Sequence, residues 1–266
     1  MCTLIRTDIT QVVRYNSFDE YLGVPLQQTV SGTCALVSST VCIEAQHRLE
    51  YEMVHGLGTF PCIAAAPRKL RNLCHRQFVQ DQSTGERRRI WNIKKGAIVA
   101  EVLDQIMKLG GVRTTNGAPK PAPYLLPLRS WQHYKWEDGF TAYDVADLLD
   151  AHGPFIGNIW VCPWYDLFDS NVDDDLVYRS GCARSPGIQK RCEVVYGQHE
   201  KVGYHSVVCF EYRFCEGQMH EKILDNHAAN GPRRWIHNDE LTDVYIINVD
   251  RMDIRSGDIW YPNSWL

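Results

Sequence analysis

The sequence predicts an α+β fold with two lobes, one mainly helical and one made mostly of strands. Helical periodicity of apolar residues dominates the N-terminal half, whereas runs of β-branched and aromatic residues dominate the C-terminal half. Helices that are segregated from strands along a chain are typical of α+β proteins. We expect a single domain over residues 1–266, with a helical lobe over about 25–130 and a β-rich lobe over about 131–266.

The first long helix is predicted over residues 34–55. Apolar residues recur every three or four positions from Cys34 to Met53, and Gly56 follows as a break. A loop of small residues, Thr29–Thr33, precedes this helix. We therefore expect Cys34 to lie at the helix N-terminus and to face that loop.

Two further helices are predicted on either side of an irregular crossing. One spans about 97–109, and the other begins after Thr141, a plausible N-cap with Asp144 three residues on. Between them, Pro119–Pro127 carries four prolines, which indicates irregular backbone. The predicted strands follow the last helix and are Phe155–Val161, Tyr204–Arg213 and Val244–Val249.

Composition excludes several classes of function. A net charge of -4 does not favour binding to nucleic acid or to a membrane surface, and 44% apolar residues suffice for a sizeable core. The first residues lack the pattern of a secretion signal, so we expect a cytoplasmic or other intracellular protein. The ten cysteines include no C-x-x-C pair, so we expect reduced core thiols and no metal or cofactor. The oligomeric state stays open.

Cys34 and His205 are the candidate reactive pair. A thiol acts as a nucleophile in its thiolate form, and its ordinary pKa of about 8.5 leaves little thiolate at neutral pH. A helix N-terminus and a nearby imidazolium both favour the anion. Taken singly, Cys34 can equally be a buried core thiol and His205 a hydrogen-bonded core histidine.

The segments around both residues resemble those of papain-like cysteine peptidases. Gln28-Thr-Val-Ser-Gly-Thr-Cys34 is similar to the family's Q-x-x-C-G-S-C, with the glutamine six residues before the cysteine. Tyr204-His205-Ser206 is similar to the family's N-H-A. Other segments resemble the family in the same order along nearly the whole chain: Pro67–Cys74, Ala97–Gly111 with Pro123-Tyr124, Val145–Ile159 and Tyr178–Gly181.

The resemblance implies a fold and a set of roles. The fold would pair a helical lobe with an antiparallel, β-barrel-like lobe, and the substrate would be a peptide or protein. Cys34 would attack the carbonyl carbon, His205 would carry the proton, and Gln28 with the Cys34 backbone N–H would form the oxyanion hole. Asn226, 21 residues after His205, is the candidate that orients it, in preference to Asn263, 58 residues after it.

Some positions depart from the family. Ala35 replaces the tryptophan after the nucleophile, and His227-Ala228 replaces the Ser-Trp whose indole shields the hydrogen bond to the histidine. We therefore expect water to compete for that bond. The family's substrate-binding G-C-x-G-G loop has no clear counterpart.

Three interpretations remain open at this point. The first is thiol-dependent hydrolysis of peptide bonds by Cys34, His205 and Asn226. The second is a weak or inactive papain-fold protein that binds peptides or a partner protein. The third is an unrelated globular protein.

Overall fold

A computed structural model describes residues 3–23, 25–61, 63–80, 84–115, 125–161, 165, 176–179, 203–227 and 233–252. Among these residues, no helix is both long and apolar enough to cross a membrane. Several sequence predictions concern residues outside the described ranges: most of the proline-rich crossing, Ser180-Gly181, Ala228, Asn263, and the cysteines at 2, 62, 162, 182 and 192.

The helices of the described residues are α1 (Cys34–His55), α2 (Pro67–Arg76), α3 (Val99–Lys108) and α4 (Ala142–His152). The strands in chain order are β1 (Thr3–Arg6), β2 (Val12–Ser17), β3 (Ala64–Ala65), β4 (Phe78–Gln80), β5 (Arg87–Arg89), β6 (Trp91–Asn92), β7 (Gly96–Ala97), β8 (Val112–Thr115), β9 (Leu125–Leu126), β10 (Leu128–Lys135), β11 (Phe155–Val161), β12 (Leu176–Arg179), β13 (Gly203–Cys215), β14 (Gln218–Leu224), β15 (Arg233–His237) and β16 (Leu241–Val249).

The predicted α+β class is confirmed. The helix predicted over residues 34–55 has those bounds in α1, and the strand predicted over Phe155–Val161 has those bounds in β11. The other two predicted strands extend a few residues further, as β13 and β16. The residues group into two compact units, one within 1–20, 25–29 and 132–246 and the other within 21–24, 30–131 and 247–266.

A large sheet organises the first unit. Its strand order is β1-β12-β15-β14-β13-β11-β16-β10, and β2 pairs with β13 outside this path. β13 runs antiparallel to both β11 and β14, whereas β12 and β15 run parallel. The order has two ends, β1 and β10, so the described strands form a sheet in which no closure into the predicted barrel-like lobe is seen.

Helix α4 packs its apolar side against this sheet. Val145 and Leu149 of α4 belong to the same buried cluster as Val207 and Tyr212 of β13 and Ile223 of β14. Residues alternate between the two faces of a strand, and a β-bulge in β13 between Cys209 and Glu211 brings Val207 and Tyr212 to the same face, so one face of the sheet supplies this core.

Helix α1 is the centre of the second unit, and its environment differs from the prediction. Residues 35–47 are all buried, so the helix has no single apolar stripe, and Met53 at its far end is 71% exposed. Small side chains let other segments pack around all sides of a helix. The polar side chains that are buried in this way then need hydrogen-bond partners. The His47 ring supplies an example, because Nε2 lies 2.9 Å from the Pro127 carbonyl and burial lowers the pKa of His47 to about 4.

The capping box predicted at Thr141 is confirmed, and it provides a test of local stability. The Asp144 N–H donates to Thr141 Oγ1 at 3.3 Å, and the Thr141 N–H donates to Asp144 Oδ2 at 2.7 Å. Thr141→Ala should lower the free energy of unfolding by about 1 kcal/mol, because it leaves a first-turn N–H uncapped. Urea unfolding measures this loss. Thr141→Ser keeps the hydroxyl and should retain most of the stability, and equal losses in both variants would contradict the cap.

Candidate functional site

The loop before Cys34 is held in place by close backbone packing within the second unit. Gly32 has φ 72°, and a Cβ at this position would lie 3.1 Å from the Gly96 Cα. The Trp91 indole N–H donates to the Gly32 carbonyl at 2.7 Å. A side chain at Gly32 would therefore both strain the backbone and push the two segments apart.

Cys34 is the first residue of α1, at the positive end of the helix dipole. The preceding Thr33 does not cap the helix, because its hydroxyl donates to the Val30 carbonyl at 2.6 Å. The first turn of α1 contains no acidic residue. The N-terminal N–H groups of the helix thus favour a negative charge on the partly exposed Cys34 sulfur.

His205 lies in β13 of the first unit, opposite Ile159 of β11. The residue is buried, and its Nε2 lies 2.8 Å from Oδ1 of Asp225. Asp225 directly follows β14 and is 1% exposed. The ring is therefore fixed by a buried carboxylate.

Two other groups hold the Asp225 carboxylate. Arg234 Nε lies 3.1 Å from Oδ2, and the His227 backbone N–H donates to Oδ1 at 2.8 Å. Burial raises the pKa of Asp225, but its hydrogen bonds and the charges of His205 and Arg234 outweigh burial, so the pKa falls below its usual value. An ionised carboxylate only accepts hydrogen bonds, so Nε2 of His205 carries the proton of the bond to Asp225.

Arg234 is itself anchored by Tyr165. Its Nη1 donates to the Tyr165 carbonyl at 2.6 Å, and its guanidinium carbon lies 4.6 Å from the centre of the Tyr165 ring. Burial first, and then the negative charge of Asp225, raises the pKa of Tyr165 well above its usual value. Tyr165 is therefore a neutral support for a buried row of imidazole, carboxylate and guanidinium.

The hydrogen bond between His205 and Asp225 is shielded from solvent. The side chains of His205 and Asp225 are 6% and 0% exposed. The Tyr165 ring lies 6.0 Å and the His227 ring 5.4 Å from the His205 ring, centre to centre. These two aromatic rings pack near the His205 ring.

Asn226, the residue predicted to orient His205, is buried directly after Asp225. Its side chain is buried, and within the described part of the chain neither of its polar atoms has a hydrogen-bond partner. Its carbonyl accepts from the Gln28 N–H at 2.7 Å, and Gln28 Oε1 is also buried without a partner there. The Asp225 side chain, one residue earlier, is hydrogen-bonded to His205. Two predicted site residues, Gln28 and Asn226, are thus brought together by their backbones.

Sequence reasoning missed Asp225, Arg234 and Tyr165. A signal was present for Arg234, because it alternates in phase with the apolar Ile236 along the segment that forms β15. A charged residue on a buried face requires an opposite charge. No comparable signal marks Tyr165. In the part of the chain that the structure describes, no group of three or more His, Cys, Asp or Glu residues is arranged to hold a metal ion.

Solved structures that are similar to this chain identify its fold. No protein-family model and no curated protein matches the sequence. Procathepsin L2 from the Tenebrio molitor larval midgut has a TM-score of 0.55 at 14% identity, over 89% of this chain and 69% of its own. ProCathepsin B S9 from Trypanosoma congolense has 0.54 at 12%, over 92% and 82%. Bromelain from Ananas comosus, solved with the E64 inhibitor, has 0.56 at 11%, over 90% and 100%. The chain thus has the fold of papain-like cysteine peptidases, as its sequence motifs indicated.

Proposed function

We propose that this protein hydrolyses peptide bonds with Cys34 as the nucleophile and His205 as its base. The observation that carries the proposal is the buried hydrogen bond between His205 and Asp225 in a chain with this fold. A histidine oriented by a second group is the arrangement that general acid–base catalysis requires. Cys34 adds a sulfur at an uncapped helix N-terminus, which favours the thiolate.

The proposed reaction has two steps. Cys34 Sγ bonds to the carbonyl carbon of the substrate, the C–N bond breaks, and the proton held by His205 passes to the leaving amine. Water then attacks the thioester, His205 accepts a proton from it, and the C–S bond breaks to release the carboxylic acid. The Gln28 side chain and the Cys34 backbone N–H are proposed as oxyanion donors, each worth about 3 kcal/mol in the transition state.

We propose Asp225 as a residue that positions His205. The assignment follows from the contact of 2.8 Å between the His205 and Asp225 side chains. Unlike an asparagine, this group carries a negative charge that stabilises the imidazolium form. The role predicted for Asn226 stays a prediction, and its buried amide retains hydrogen-bonding capacity for substrate or water.

Thiol labelling tests the proposed pair. A short peptide that carries a vinyl sulfone should modify Cys34 faster than it modifies free glutathione, and His205→Ala should slow this reaction at least ~100-fold. Mass spectrometry of the modified peptides identifies the site. Burial raises the pKa of Cys74 to about 12 and that of Cys42 even further, so these thiols should stay unlabelled.

A histidine on the protein surface provides the control for labelling. His55→Ala removes an exposed imidazole and should leave the rate unchanged. If Cys34 reacts no faster than glutathione in the unmodified protein, the peptidase proposal fails. A peptide that binds without reacting would then favour the inactive, peptide-binding alternative.

The stability of the protein should depend on the ionisation of Asp225. Its pKa is lowered in the folded state, so its stabilising contribution is complete above its unfolded pKa of about 3.9 and is lost as pH falls through the folded value. Urea unfolding between neutral pH and pH ~3 should show this loss. Asp225→Asn should be less stable at neutral pH and should lack this part of the acid dependence. Asp147→Asn, an exposed carboxylate, should keep it.

Arg234 should set the pH at which the rate of Cys34 labelling falls in acid. We call this part of the plot of labelling rate against pH its acidic limb. Without its charge, burial should raise the pKa of Asp225, so in Arg234→Gln the acidic limb of Cys34 labelling should move to higher pH. Adding Asp225→Asn should cancel this movement, because no carboxylate remains to titrate. The single variant should also lose about 3–5 kcal/mol of stability, because an unpaired charge is left buried. An acidic limb at the same pH in the unmodified protein and Arg234→Gln would contradict the role of Arg234.

A further inference from the structure

Positive charge is concentrated in α2 and in the chain that follows it. Between Arg68 and Lys95 the sequence has nine arginines and lysines but only two acidic residues, although the whole chain has a net charge of -4. Such local asymmetry creates a positive surface potential that attracts anionic partners.

A groove with an apolar floor lies beside this cluster in the second unit. Its volume is about 480 Å³, which is within the range of ligand sites. It is formed by α2, the end of α3 and the β8–β9 pair. Its floor is aliphatic, and Leu125 at one edge is 41% exposed. The floor residues are Leu70, Leu73, Leu109, Val112 and Leu125.

The rim of the groove is cationic. It consists of Lys69, Arg76 and Arg113, and within the described ranges none of the three forms an ion pair with an acidic residue. Other basic residues of the same unit are neutralised, as Arg88 is by Glu101. The three rim charges are therefore available to an anionic ligand, whose binding would also cover the leucines.

We propose that this groove binds an acidic peptide segment of a partner protein. One or two aliphatic side chains of the segment would lie on the leucine floor, and flanking carboxylates would pair with Lys69, Arg76 and Arg113. None of the described residues that line the groove is an aromatic residue on which a nucleic-acid base could stack, so among these residues an acidic peptide fits better than a single-stranded nucleic acid. This proposal goes beyond the proposed peptidase activity and does not depend on Cys34.

Fluorescence anisotropy of the full chain tests the proposal. The probe is a fluorescein-labelled peptide, Glu-Asp-Glu-Leu-Leu-Glu-Asp-Glu, added to the Cys34→Ser protein so that it cannot be cleaved. The double variant Arg76→Glu/Arg113→Glu should weaken binding at least about tenfold. Lys94→Glu/Lys95→Glu makes the same change in net charge at exposed positions outside the groove, and should weaken binding much less.

The apolar part of the site has its own test. Leu125→Ser and a probe with serine in place of both leucines should each weaken binding several-fold, and circular dichroism checks that the variants remain folded. The proposal is overturned if the peptide does not bind at about 1 mM, or if the two double variants weaken it equally. It is also overturned if oligothymidylate displaces the peptide at a lower concentration than unlabelled peptide does.

Discussion

The proposed catalytic machinery of the first unit depends on one ion pair, that between Arg234 and Asp225. Both side chains are almost completely buried, and either charge alone in that environment would be strongly unfavourable. Together they allow a carboxylate to stay ionised beside His205, which fixes the tautomer and orientation of the ring. The pair is thus a requirement both for the packing of this part of the sheet and for the chemistry that we propose.

The sheet order explains how three residues so far apart in sequence meet. β13, β14 and β15 are neighbours, and each supplies one member: His205 in β13, Asp225 directly after β14 and Arg234 in β15. β14 and β15 are antiparallel, and Leu224 of β14 is opposite Arg233 of β15. Asp225 and Arg234 each follow one member of this pair, so their side chains lie on the same face of the sheet. A shift of register by one residue would turn Arg234 to the other face and leave the carboxylate unpaired.

Features set by local sequence pattern could be predicted from the sequence. Features that depend on the direction of a side chain in the folded structure could not. The start of α1 at Cys34 and the cap at Thr141 follow from periodicity and turn chemistry, and the structure has both. The choice between Asp225 and Asn226 depends on where the chain turns after β14, which spacing from His205 does not specify. The burial of α1 on all sides likewise depends on distant segments, because Ser and Thr residues suit both surface and core.

Net charge describes the whole chain, but binding depends on where the charges lie. A total of -4 argues against an anionic partner only if acidic and basic residues are mixed, and here the basic residues cluster between Arg68 and Lys95. Cations that face an apolar floor gain more from an anionic ligand than cations on an open surface, since the ligand excludes water from them. The same rule therefore applies to the groove and to the buried row of His205, Asp225 and Arg234. A buried charge, or one that binding would bury, requires a partner, and Asp225 supplies it for Arg234, whereas the rim of the groove requires a second molecule.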